Sequence, residues 1–203
     1  MCHSTDSRPP ALPNPGEIAR SGALELTSAD GTVFSALEAI PAEPDGVRIV
    51  ILPDIRDTHP YYQAPSVRPD DVATDVEAAA AHLGEGPLFT VGFCFGGGQS
   101  WRLAASDLGV RGVIGFYGLP QPATEVVDDI SAPLLLLLAG ADVATSPAEF
   151  DTFTARLDQA GKPYERQVYE GAPHSFFDAA YEEWQDACDD AWSRTLAFIG
   201  KHR

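Results

Sequence analysis

The stretch Leu88-Phe89-Thr90-Val91-Gly92-Phe93-Cys94-Phe95-Gly96-Gly97-Gly98 decides how this chain folds. An apolar run without charge passes directly into glycines, and a segment of helical spacing, residues 97–108, follows. The run reads as a strand of a parallel sheet and the glycines as the turn through which it enters a helix. Gly-x-Cys-x-Gly has the form of a nucleophile elbow, with cysteine where serine is usual. Gly92 and Gly96 leave room where side chains would collide with the neighbouring strand and helix. The helix that follows points its first N–H groups and positive end at the site, which favours a thiolate and a developing oxyanion. The competing reading makes Cys94 a small buried hydrophobe and the glycines a plain turn or a phosphate cradle. A P-loop fails because no Gly-Lys-Ser/Thr follows, and a dinucleotide fingerprint fails because this strand is not the first of a βαβ unit.

On either side the chain alternates. Residues 23–27 and 32–40 are strand-like and separated by Ser-Ala-Asp-Gly, a hairpin. Residues 47–52, β-branched and aliphatic apart from Arg48, predict a strand buried on both faces. Helices are predicted over 70–83, 97–108, 147–160 and 181–199, and further strands over 88–92, 112–117, 134–139 and 164–169. This rhythm specifies an α/β architecture, a mostly parallel central sheet with helices on both faces, entered through an N-terminal antiparallel hairpin. Residues 1–16, with Pro9, Pro10, Pro13 and Pro15, are expected to be a flexible leader, and 17–203 one domain.

The 203 residues carry 30 acidic and 13 basic side chains, a net charge of −17, which argues against nucleic acid and anionic membranes as partners. The longest apolar run, 133–139, is far short of the ~20 residues that span a bilayer, so a cytoplasmic location is expected. Cys2, Cys94 and Cys188 are odd in number and widely spaced, so neither a disulfide framework nor a zinc site is suggested.

If Cys94 is a nucleophile, its partners should follow at the ends of later strands, the acid first and then the histidine. The strand at 134–139 runs into Gly140-Ala141-Asp142, and the strand at 164–169 into Glu170-Gly171-Ala172-Pro173-His174-Ser175-Phe176. Asp142 and His174 therefore reach the sheet edge that carries Cys94, where ligand sites of parallel sheets collect. Asp142 could instead cap the helix near Pro147, although Ser146 is better placed. Of the other histidines, His3 and His202 are terminal, His82 is on an amphipathic helix and His59 is in a Pro-rich loop.

The runs Gly92 to Gly97, Ala139 to Asp142 and Gly171 to Phe176 together resemble dienelactone hydrolase, the cysteine-dependent branch of the α/β-hydrolases, from about residue 18 onward. The resemblance implies the α/β-hydrolase fold and hydrolysis of an ester or lactone, of the carboxymethylenebutenolidase type, through a cysteine acyl-enzyme. It makes Cys94 the nucleophile, His174 the base and Asp142 the residue that orients it. Backbone N–H groups of Phe95 and Ile55 would form the oxyanion hole. Asp54 aligns where the family has a glutamate that holds the resting thiol, one methylene shorter here. An arginine that the family places four residues after the histidine is replaced by Asp178, which leaves Arg56 and Arg68 as basic candidates for a substrate carboxylate. No cofactor or metal is implied; the partner is a small ester or lactone, and the chain would be a monomer or homodimer. Alternatives that stay open are a thioesterase or small-acyl carboxylesterase on the same three residues, and a redox-sensing or binding protein of the same fold.

One stretch breaks the rhythm. The family places a helix and a strand between the third strand and the next helix, and residues 53–69, with four prolines, are too short to hold them. Either the chain lacks these elements or its sequence joins the two sides of a longer segment, most naturally between Tyr61 and Val67. The second is preferred, because deleting an internal strand leaves backbone groups unpaired within a parallel sheet.

Overall fold

The structure is a computed structural model and describes residues 16–54, 69–178 and 180–203. Five strands, β3 (Arg48–Leu52), β4 (Leu88–Phe93), β5 (Gly112–Phe116), β6 (Leu134–Ala141) and β7 (Tyr164–Pro173), form a parallel sheet in chain order. Because each strand is added on the same side of the last, right-handed crossovers place every connecting helix on one face. Accordingly α1 (Pro69–His82), α2 (Phe95–Arg102) and α4 (Pro147–Gln159) cover one face, through Val72, Val76, Trp101, Phe150, Phe153 and Leu157. The second face is left to α5 (Gln185–His202), which packs Cys188, Ala191, Phe198 and Ile199 against it.

Strand alternation divides one sequence run between the two cores. Leu134, Leu136 and Leu138 of β6 point to the first, and Leu135, Leu137 and Ala139 to the second. Each fully buried leucine contributes about 1.5–3 kcal/mol relative to exposure, so β6 is the apolar centre of the molecule. The short α3 (Gln121–Thr124), absent from the sequence reading, packs Ala123 into the first core.

The hairpin forms as expected but as a sheet of its own. β1 (Ile18–Thr27) and β2 (Val33–Pro41) pair around a turn in which the Ser28 N–H donates to Thr32 O at 2.9 Å and Gly31 takes φ 88°. It does not enter the five-stranded sheet through a shared hydrogen-bonded edge; α1 ties it on, with the Ser28 hydroxyl donating to Asp75 and His82 lying 2.8 Å from Glu38. Burial is the main reason the Asp75 carboxyl is pushed up from its ordinary range.

β3 corrects a second expectation. Val50 and Leu52 face the α1 core, but Ile49 and Ile51 point the other way and are 41% and 64% exposed. Among the described residues this strand is therefore buried on one face: Ile49 and Ile51 do not join the second core, which α5 helps to form. Two helix boundaries also differ. α2 ends at Arg102 in a 3-10 turn, Leu103–Ala105, instead of running to 108. α5 begins at Gln185, after turns in which Trp184 N–H donates to Ala180 O. The junction expected between Tyr61 and Val67 lies outside the described residues.

Candidate active site

At the elbow Cys94 is buried with φ 53° and ψ −116°, a backbone setting that L residues seldom adopt and that the packed surroundings impose. Its N–H donates to Phe116 O at 3.0 Å, so the turn is anchored on the next strand. The glycines are required by contact: a Cβ on Gly92 would lie 1.9 Å from Gly96 O, and one on Gly96 would lie 2.2 Å from Leu52 O. Gly97 and Gly118 likewise let α2 lie against the end of β5, where a Cβ on Gly97 would meet the Gly118 Cα at 2.9 Å. Phe95 heads α2, with its N–H at the positive end of the helix.

β6 and β7 stay paired to their ends through Ala141 and Pro173, after a register shift beyond Ala139. Gly140 permits that shift, since a Cβ there would sit 2.7 Å from Tyr169 O. The next residue on each strand is Asp142 and His174. His174 Nδ1 lies 2.9 Å from Oδ1 and 2.8 Å from Oδ2 of Asp142. A carboxylate only accepts, so Nδ1 donates in this contact, and in a neutral ring the lone pair is on Nε2. The Asp142 side chain is 0% exposed and that of His174 9%. Asp142 Oδ1 also accepts from the Ala144 N–H at 2.7 Å, which fixes the carboxylate. Ser146 caps α4 in a capping box with Glu149, so Asp142 is not the cap. His174 Nε2 is buried and has no hydrogen-bond partner among the described atoms.

Cys94 belongs to the same buried cluster as Tyr117 and Phe176, and the Tyr117 ring lies 5.1 Å from that of His174. Sequence reasoning passed over Tyr117, although Phe-Tyr-Gly at the end of a predicted strand, on the sheet edge that carries Cys94, was a usable signal. Asp54 is buried just beyond the Leu52–Pro53 backbone that touches Gly96, which brings it beside the elbow. Ile55, Arg56 and Arg68 lie outside the described residues. Among the described residues no group of three or more His, Cys, Asp or Glu could hold a metal ion, and no helix is long and apolar enough to cross a membrane.

A parallel sheet in this order, an elbow after its second strand and an acid and histidine after its fourth and fifth define an α/β-hydrolase. Its fold is similar to that of the α/β-hydrolase GrgF from Penicillium sp. sh18, at TM-score 0.72 and 14% identity, covering 90% of this chain and 99% of that one. Residues 54–203 match the dienelactone hydrolase family, and the chain belongs to it. It is 35% identical over 114 residues to the Saccharolobus solfataricus protein named "Putative carboxymethylenebutenolidase", covering 55% of this chain and 43% of that one. It is 30% identical over 148 residues to the Bradyrhizobium sp. protein named "Probable 2-oxo-3-(5-oxofuran-2-ylidene)propanoate lactonase", covering 64% of this chain and 59% of that one. The chain thus spans about half the length of these curated relatives.

Proposed function

We propose that the chain hydrolyses small carboxylic esters or lactones through a thioester on Cys94. The observation that carries this reading is the Asp142–His174 pair, which leaves the Nε2 lone pair buried on the edge that bears the strained Cys94. Nε2 takes the Cys94 thiol proton, and Asp142 stabilises the imidazolium that results. The thiolate adds to the ester carbonyl, and the oxyanion is met by the N–H of Phe95 together with that of Ile55. Collapse breaks the C–O bond, and the imidazolium returns its proton to the leaving alkoxide. Nε2 then deprotonates a water molecule that attacks the thioester, which releases the acid and restores the thiol. In this reading Asp54 orients the resting thiol and Arg56 meets a substrate carboxylate. Family membership and the lactonase name of a 30% identical relative favour lactones within the ester class.

The test is turnover of a panel of enol-lactones, p-nitrophenyl esters and acyl thioesters by the wild type and Cys94→Ala, with intact mass read after rapid quench. The wild type should turn over a lactone or ester and carry one acyl group on the peptide containing Cys94, and Cys94→Ala should lose at least about 1,000-fold in rate. Undiminished turnover by Cys94→Ala overturns the mechanism, and preference for thioesters would replace the substrate class.

A further inference from the structure

We infer that Tyr117 is a positioning residue of the active site, the wall that holds the His174 imidazole in line with Asp142; this rests on the hydrolase reading above. The sheet order creates the need. Cys94 follows β4, Tyr117 follows β5, Asp142 follows β6 and His174 follows β7, so a histidine serving Cys94 has to reach back past the end of β5. Tyr117 is the residue it meets there, with ring centroids 5.1 Å apart and planes inclined by 59°.

His174 is anchored by one nitrogen only. Nδ1 is bound to Asp142, whereas Nε2 has no hydrogen-bond partner among the described residues, so hydrogen bonding there does not stop the ring tilting about its anchored edge. A packed neighbour on one face does, provided that the neighbour is itself immobile.

Tyr117 meets that condition. It is 2% exposed, with Phe176 against it edge-on at 5.6 Å and Phe116 at 6.3 Å. Its N–H donates to Leu137 O at 2.7 Å on the strand that carries Asp142, while the preceding carbonyl, Phe116 O, accepts from the Cys94 N–H. One dipeptide is therefore pinned to both the nucleophile turn and the acid strand.

The backbone supports the same conclusion. Tyr117 takes φ 39°, a region sparsely populated for an aromatic residue and maintained only where the surroundings impose it. The following Gly118 has no room for a Cβ, which would lie 2.6 Å from Gly97 C, so the chain turns tightly onto α2 immediately after the tyrosine. The position would be relaxed by Asn or Gly, yet it carries a large ring directed at the histidine.

The test compares Tyr117→Asn, which tolerates the positive φ and removes the ring, with Tyr117→Phe, which keeps the ring. The readouts are kcat and KM on an ester, and the low-field proton resonance of His174 Nδ1, assigned by its loss in Asp142→Asn. For Tyr117→Asn we expect kcat to fall about 100-fold with KM changed less than about threefold, and the resonance to broaden or vanish. Tyr117→Phe should keep the resonance and lose no more than about threefold in kcat. An Asn variant that keeps both overturns the inference, as does a Phe variant that loses the resonance. If the Asn variant fails to fold, Tyr117→Gly repeats the measurement without backbone strain. The resonance needs no turnover, so it separates failure of this inference from failure of the hydrolase reading, which Cys94→Ala addresses.

Discussion

Asp142 meets His174 Nδ1 with both carboxylate oxygens, and an amide in its place would turn an N–H2 donor toward the same nitrogen. The proton would then be driven to Nε2, where a base needs its lone pair. Asp142→Asn should therefore fold normally by circular dichroism and lose about 100- to 10,000-fold in kcat. Cys94→Ser should also fold and lose most activity, because an alcohol needs a stronger base than a thiol does. Cys188 provides the contrast. It is buried in the second core, its thiol donates to Phe176 O at 3.4 Å, and burial, with a smaller effect from Asp189, pushes its pKa up from 9.0 to about 11. Asp186, Asp189 and Asp190 lie close to it in sequence, but burial is the larger cause. Iodoacetamide at pH 8 should modify Cys94 well before Cys188 in the folded protein, and equal rates would contradict the assignment of Cys94. Because the folded pKa is the higher one, the protonated thiol's contribution to stability is complete below pH 9 and is lost as pH rises toward 11. Cys188→Ala should flatten that part of an alkaline stability profile measured by urea unfolding.

β3 is bonded to β4 on one side, and on its other side no strand pairs with it among the described residues. The Arg48 N–H donates to Pro87 O at 2.8 Å, toward β4, so alternation turns the N–H of Val50 the same way and those of Ile49 and Ile51 outward. Hydrogen exchange should find Ile49 and Ile51 at least about 100-fold less protected than Val50. Uniform protection would show that another segment completes the sheet edge. Residues 53–69, too short for a helix and strand of their own, follow β3 directly in the chain.

A net charge of −17 on 203 residues makes self-repulsion a property of the molecule as a whole. Like charges spread over one surface oppose compaction, and salt screens them within a Debye length of about 10 Å at 0.1 M. Raising NaCl from about 10 mM to about 0.5 M should increase Tm by a few degrees; a falling Tm would mean that attractive pairs such as Arg20–Glu38 and Arg203–Asp45 outweigh the net charge.

Local pattern was enough for the strand-to-helix rhythm, the glycine elbow at Cys94, the Ser146 cap and the strand-end positions of Asp142 and His174. Those features depend on periodicity, on turn stereochemistry and on which residue follows a strand, all of which are written within a few neighbouring positions. Chain order alone did not show that Asp142 and His174 touch. That contact requires the shift beyond Ala139, the pairing of Ala141 with Pro173 and the absence of a Cβ at Gly140. Tyr117 was hidden for the same reason: between Phe116 and Gly118 it reads as the apolar end of a strand, and its proximity to His174 depends on sheet order. Ile49 and Ile51 show the converse, since an apolar stretch specifies a strand but only the packing of distant segments settles which of its faces is covered. Periodicity is a property of neighbours along the chain, whereas register, sheet order and helix coverage join residues far apart in sequence, and those arise only when the tertiary structure closes.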